Sequence, residues 1–191
     1  MDFEDMIFRR RTIRRFKQEP IKLEKLKKLI NFARVAPMAR NIQALEFIIV
    51  HNPEIRSKLF PLVNWAGSLP EDQRTPEKGR EPTAYIIVLV NTKIKSTYVD
   101  FDVGAAVENI LLGAVHFELS SCWMGSINRE KIRRLFKIPE YYEIKHVISL
   151  GYPDEESIIE PYEDSFKYWK DEYGRLHVPK RSLEDIIFKV Y

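Results

Sequence analysis

The chain has 191 residues, 45% of them hydrophobic and 12% aromatic, which suits one folded domain over residues 1–191 and excludes a disordered chain. Its 31 basic and 28 acidic residues leave a net charge of only +3, a weaker imbalance than a dedicated nucleic-acid binder shows, and its single cysteine, Cys122, excludes an internal disulfide. No stretch reaches the roughly 18 uninterrupted apolar residues of a membrane span. The opening "MDFEDMIF" is acidic where a secretory leader is basic, so the expected location is the cytoplasm. Abundant charge and only three glutamines, Gln18, Gln43 and Gln73, lean toward a thermophilic source.

The first feature along the chain is "FRRRTIRRFKQEP" (8–20), with six basic residues between Arg9 and Lys17. On its residues alone this run could grip nucleic acid, coat a helix with solvated charge or hold one phosphate. Guanidinium forks and a hydroxyl match phosphate oxygens geometrically. Residues 22–35 place Leu23, Leu26, Leu29, Ile30 and Ala33 at helical spacing. "LEFIIV" (45–50) and "AYIIVLV" (84–90) read as buried strands. Residues 52–60 read as a helix beginning near Asn52, with Pro53 at its first position. Residues 66–82 hold three prolines, two glycines and many charges, the pattern of a mobile surface loop that serves as a lid or substrate-binding element.

Residues 102–119 predict a helix capped by Asp102 and apolar nearly all round, hence central. Residues 121–127 predict a strand ending in a glycine turn, 128–136 a helix capped by Asn128, and 144–153 a strand. Residues 180–190 predict a closing helix capped by Ser182, with Asp185 three residues on. The mixture is that of one α/β domain without internal repeats.

Several chemistries lack their motifs. There is no G-x-G-x-x-G after a strand, no phosphate-binding P-loop and no nucleophile elbow. His51, His116, His146 and His177 are scattered without metal spacing. Cys122 lies in an apolar strand and reads as a core thiol.

Five separated segments, in order, resemble the nitroreductase-like flavoproteins, which bind FMN. "RRTIRRF" (10–16) resembles that family's R-R-[ST]-x-R-x-F entry motif. "APMARNIQALEFIIV" (36–50) resembles its A-P-S-x-x-N-x-Q-P-W-x-F segment. "DVGAAVENILLGAVHFELSSCWMGSI" (102–127) resembles its central helix and the C-W-x-G loop after it. "VISLGYP" (147–153) and "PKRSLEDIIF" (179–188) resemble its strand end and its basic close. Three departures stand out. Met38 replaces a serine, Ala44-Leu45 replace Pro-Trp, and Glu118-Leu119-Ser120 replace a Gly-Leu-Gly turn.

The resemblance implies an α+β fold, an α-β-α sandwich with an antiparallel-rich sheet flanked by helices, in an intertwined homodimer with FMN at the subunit interface. It implies that Arg10, Arg11, Thr12 and Arg14 line one edge of FMN, with Arg10 and Thr12 toward the phosphate and Arg14 toward the ring. Lys180 and Arg181 would close over the same phosphate. Pro37, Met38, Ala39 and Asn41 would come from the partner subunit, with Gln43 at the margin of this set. Met124 and Gly125 would approach the other face of the ring. Trp123 reads as core, and Arg9, Arg15 and Lys17 as solvated charge. The implied activity is that of an FMN-dependent oxidoreductase. It takes electrons from NADH or NADPH and passes them, in alternating half-reactions, to a small-molecule acceptor such as a quinone or nitro compound. No side chain is required as general acid or base. The alternatives are another flavin enzyme on the same scaffold, a reductive dehalogenase or ene-type reductase, and a basic nucleic-acid-binding module.

Overall fold

A computed structural model of the chain describes residues 1–191. Its centre is an antiparallel sheet. β2 (Leu45–Val50) pairs with β3 (Ala84–Asn91), β3 pairs with the long β5 (Tyr142–Pro153), and β4 (Ser120–Met124) pairs with β5 as well. A two-residue strand, β1 (Phe16–Lys17), extends β5 by pairing Phe16 with Pro153. Close approach there needs Gly151, because a Cβ at that position would stand 2.7 Å from the Phe16 ring.

Period-two alternation in β3 builds both layers of the core. Ala84, Ile86, Val88 and Val90 join a cluster with α2 (Leu23–Arg34) and α5 (Val99–His116) on one face. Tyr85, Ile87 and Leu89 join a second cluster on the other face, with α3 (Pro53–Leu59) and α6 (Arg129–Phe136). The result is the expected α-β-α sandwich. In α2, Leu26, Leu29 and Ala33 are the buried stripe. It packs on α5 tightly enough that a Cβ at Gly113 would come within 2.5 Å of Phe32.

The predicted caps form. Asn52 accepts from the Glu54 and Ile55 amides, Asn128 from Lys131, and Ser182 from Asp185. Asp102 does not cap. α5 starts three residues earlier, after Tyr98, and Asp102 lies within its first turn. The helix ends in a Schellman motif, with the Leu119 amide on Ala114 O (2.8 Å) and the Glu118 amide on Val115 O (2.9 Å). Glu118, where the family motif has glycine, is left-handed at φ 61°.

The basic run is entered from a helix to which the sequence reading assigned no element, α1 (Phe3–Arg9), capped by Asp2; its apolar positions Phe3, Met6 and Ile7 stand at helical spacing, and none of them is buried. Two further expectations are corrected. Residues 66–82 contain α4 (Glu71–Arg74) and are held, not free, since Ala66 and Leu69 are buried and Arg15 grips the segment. The closing helix α7 spans only Leu183–Ile186. Between β5 and α7 lies a small sheet that the sequence did not reveal. β6 (Ser157–Pro161) runs parallel to β8 (Leu176–Lys180), and β7 (Trp169–Lys170) is antiparallel to β8. No helix is long and apolar enough to cross a membrane.

Candidate active site

After Arg10, which closes α1, the basic run extends alongside β4. Thr12 bridges Ser121, and the Ile13 amide donates to Ser121 O at 3.0 Å. This placement sorts the cations by partner. Arg10 faces Glu108 of α5 at 3.7 Å. Arg15, 3% exposed and expected to be solvated, instead meets acceptors of its own chain. It donates to Glu77 Oε2 (2.7 Å), Glu77 Oε1 (2.8 Å), Gln73 O (3.1 Å) and Glu155 Oε2 (3.3 Å). Those bonds hold the Glu77 carboxyl down at about 2, well below the usual carboxylate range.

Arg11 and Arg14 are different. Arg11 Nε and Arg14 Nε and Nη1 are buried without any hydrogen-bond partner. Burial, and then the charge of Arg10, push the Arg11 guanidinium down. Arg14 is 9% exposed; its backbone amide donates to Glu155, its guanidinium lies 4.9 Å from the centre of the Tyr168 ring, and its charge bears on Cys122. Burial dominates at Cys122 and pushes the thiol up, in keeping with a core cysteine. Buried N–H groups without acceptors are destabilising unless a ligand or water supplies oxygen. Buried Arg14, with half-buried Arg11 beside the same strand, fits an anionic, oxygen-rich group such as the phosphate and ring edge of FMN.

Along β4 the side chains alternate. Met124 turns into the cluster on the α3/α6 face, so its backbone alone is free for a ligand; Trp123, expected to be core, is 39% exposed. β4 is an edge strand, and the face carrying Trp123 is open there. Gly125 is exposed, and a Cβ added to it would stand 3.3 Å from His146 Nδ1. Sequence reasoning passed over His146, an isolated histidine in an apolar strand. Its ring meets Trp123 edge-on at 5.2 Å, and burial, reinforced by Arg129, lowers its affinity for a proton.

Residues 37–41 follow α2 and lie beside the N-terminal turn of α5. Pro37 and Asn41 are exposed, and Met38 and Ala39 half-buried. Arg40 and Asn41 are consecutive left-handed residues, at φ 54° and 55°. Pro37, Met38 and Ala39 form a shallow cleft with Tyr98, Phe101 and Ala105. Asp102 and Glu108, the α5 contacts of Ala39 and Arg10, are six positions apart. That separates them by about 9 Å along the axis and roughly a third of a turn around it. Gln43 is exposed on the approach to β2. Lys180 ends β8, its carbonyl taken by the Tyr162 amide, and Arg181 folds back onto the Asp185 carbonyl. No hydrogen bond or ion pair joins either to residues 10–14.

The comparisons with known proteins bear on the family and the fold. The family model described as the nitroreductase family matches residues 7–152. An archaeal relative from Archaeoglobus fulgidus, provisionally named NADH dehydrogenase/NAD(P)H nitroreductase, is 33% identical over 168 residues, covering 84% of this chain and 91% of its own. The FMN-dependent nitroreductase of Clostridium difficile R20291 has a solved structure with a TM-score of 0.64 and 25% identity, over 83% of this chain and 91% of that one. A provisionally named NADH oxidase from Clostridium acetobutylicum superposes with a TM-score of 0.68 and 26% identity, over 98% of this chain and all of the other. Together with the ordered motifs and the sandwich, these matches establish that the chain belongs to the nitroreductase family.

Proposed function

We propose that this protein is an FMN-dependent NAD(P)H oxidoreductase that transfers electrons, in alternating half-reactions, to a quinone, nitro compound or similar small acceptor. Residues 1–191 would act as one domain and pair into a homodimer. The observation that carries the proposal is the placement beside β4 of Arg14, buried with Nε and Nη1 unpartnered, next to the half-buried Arg11, whose Nε is likewise buried without a partner. A relative described as FMN-dependent supports the choice of cofactor. Arg10, Arg11 and Thr12 would hold the phosphate end, and Arg14, kept dry under Tyr168, would set a positive charge at the ring edge. Lys180 and Arg181 would swing from their exposed positions to the same phosphate. The exposed backbone at Gly125 would allow close approach of the ring. Pro37, Met38, Ala39 and Asn41 would cover a flavin held by the partner chain, a reading supported by their placement on a different side of α5 from Arg10. When bound, FMN supplies the two-electron acceptance and donation, and the protein supplies position, charge and exclusion of water.

The test is the visible spectrum of the purified protein, followed by anaerobic addition of NADH and of NADPH. The expected result is a yellow protein that releases FMN on denaturation and bleaches with at least one nicotinamide. A colourless protein that takes up no added FMN would remove the proposal.

A further inference from the structure

Asp102 is 3% exposed, yet it performs none of the duties that usually retain a buried carboxylate. It does not cap α5, and no lysine, arginine or histidine pairs with it. Its Oδ2 has no partner at all. It lies in the first turn of α5, whose positive end favours its charge. Its single bond runs from the Ala39 amide to Oδ1, at 2.8 Å.

That bond has a particular place. Residues 37–41 otherwise hold themselves by local turns, the Asn41 amide on Met38 O and the Ile42 amide on Ala39 O. Arg40 and Asn41 are both left-handed, a conformation that asparagine tolerates but that arginine resists, so that at Arg40 it persists only where surroundings impose it. The Asp102 contact is the one hydrogen bond tying this segment to another element.

We propose that Asp102 is a positioning residue that fixes the 37–41 segment in the shape needed to cover the flavin. This rests on the cofactor reading above. Without the Asp102 acceptor the segment relaxes from its double left-handed turn and FMN is held less well. The carboxylate itself touches neither donor nor acceptor substrate.

The experiment is FMN titration of flavin-free protein, read by quenching of flavin fluorescence, for wild type, Asp102→Ala, Asp102→Asn, Ala39→Pro and the Asp102→Ala/Ala39→Pro double variant. Circular dichroism reports the fold of each. Asn keeps an oxygen for the Ala39 amide. Proline at 39 deletes the donor from the other end, and the extended backbone of Met38 (φ −126°, ψ 142°) is what a following proline requires. Asp102→Ala and Ala39→Pro should each raise the Kd for FMN at least tenfold, Asp102→Asn should stay within threefold of wild type, and the double variant should match the worse single one. If Asp102→Ala fails to fold, the contrast between Asp102→Asn and Ala39→Pro decides. Wild-type affinity in Asp102→Ala, or additive losses in the double variant, would overturn the inference while leaving the cofactor reading intact. Wild-type protein that binds no FMN would remove both.

Discussion

Arg14 and Arg15 are adjacent in the chain, and the fold gives them opposite tasks. Arg15 spends its donors on Glu77, Glu155 and the Gln73 carbonyl, and so pins residues 66–82 against the end of the main sheet. Truncating it leaves Glu155, whose side chain is only 3% exposed, with Lys170 as its remaining cation at 3.0 Å. Arg15→Ala should therefore lower stability by about 3 kcal/mol, measured as a fall in the urea midpoint at unchanged slope. A change within about 0.5 kcal/mol would show that the network is not a support. Arg10, Arg11 and Thr12 should instead affect ligand choice. A charge-assisted hydrogen bond contributes about 1.5–3 kcal/mol, so FMN should bind at least tenfold more tightly than riboflavin. Arg11→Ala should close most of that gap. Equal affinity of the wild type for the two flavins would mean that the basic run serves something else.

At the scale of elements, the end of α5 shows a cost that the sequence carries openly. Glu118 holds the left-handed position of the Schellman motif, where the family motif has glycine. A side chain there is strained by roughly 1 kcal/mol, partly offset by the greater freedom that glycine has in the unfolded chain. Glu118→Gly should accordingly stabilise by up to about 0.5 kcal/mol in thermal or urea unfolding; a loss of stability would contradict the motif. The same elements show what can be read without a structure. Asn52, Asn128 and Ser182 were legible as caps because capping is decided within three residues. β3 was legible because its run is unbroken, although only the fold shows that alternate residues serve opposite layers. Asp102 was misread because its true partner, Ala39, lies 63 positions away. The β6–β8 sheet escaped for a related reason: its strands are short and mixed in polarity, and they form around long-range contacts of Ala66 and Leu69 with Leu176. Local rules reported Arg15 as surface charge, since burial of a cation depends on acceptors that only the fold assembles.

At the scale of the whole molecule, acid should loosen the grip on residues 66–82 before it affects the apolar core. Hydrogen bonds from Arg15 lower the Glu77 carboxyl from the usual 4.5 to about 2. A carboxyl lowered on folding stabilises the protein above its unfolded-state value and loses that contribution as the pH falls through the folded one. The stability gap between wild type and Glu77→Gln should thus be complete at pH 7, shrink below about 4.5 and vanish near 2. The half-exposed position of Glu77 keeps the gap small. Urea unfolding of both proteins at several pH values checks this, and a gap that stays constant to pH 3 would refute it.

The open faces of the chain make a larger claim. Phe101 is 76% exposed and Phe188 fully so, and Phe3, Phe8, Leu183, Ile186 and Val190 are exposed as well. Phe101 lies on the outward stripe of α5 with Ala105, Glu108 and Leu112, next to the cleft of residues 37–39. So many large apolar side chains left in water mark a surface made for association. If that surface joins two copies and each flavin is shared between them, assembly and cofactor binding are linked and must fail together. Phe101→Asp would place a charge in the joint and weaken it by about 2 kcal/mol, roughly thirtyfold in dissociation constant. Sedimentation over a dilution series should show the wild type as a dimer and the variant dissociating at higher concentration. The concentration at which flavin is released should shift in parallel. A monomer that keeps its full complement of FMN would break the link and assign residues 37–41 to the flavin of their own chain.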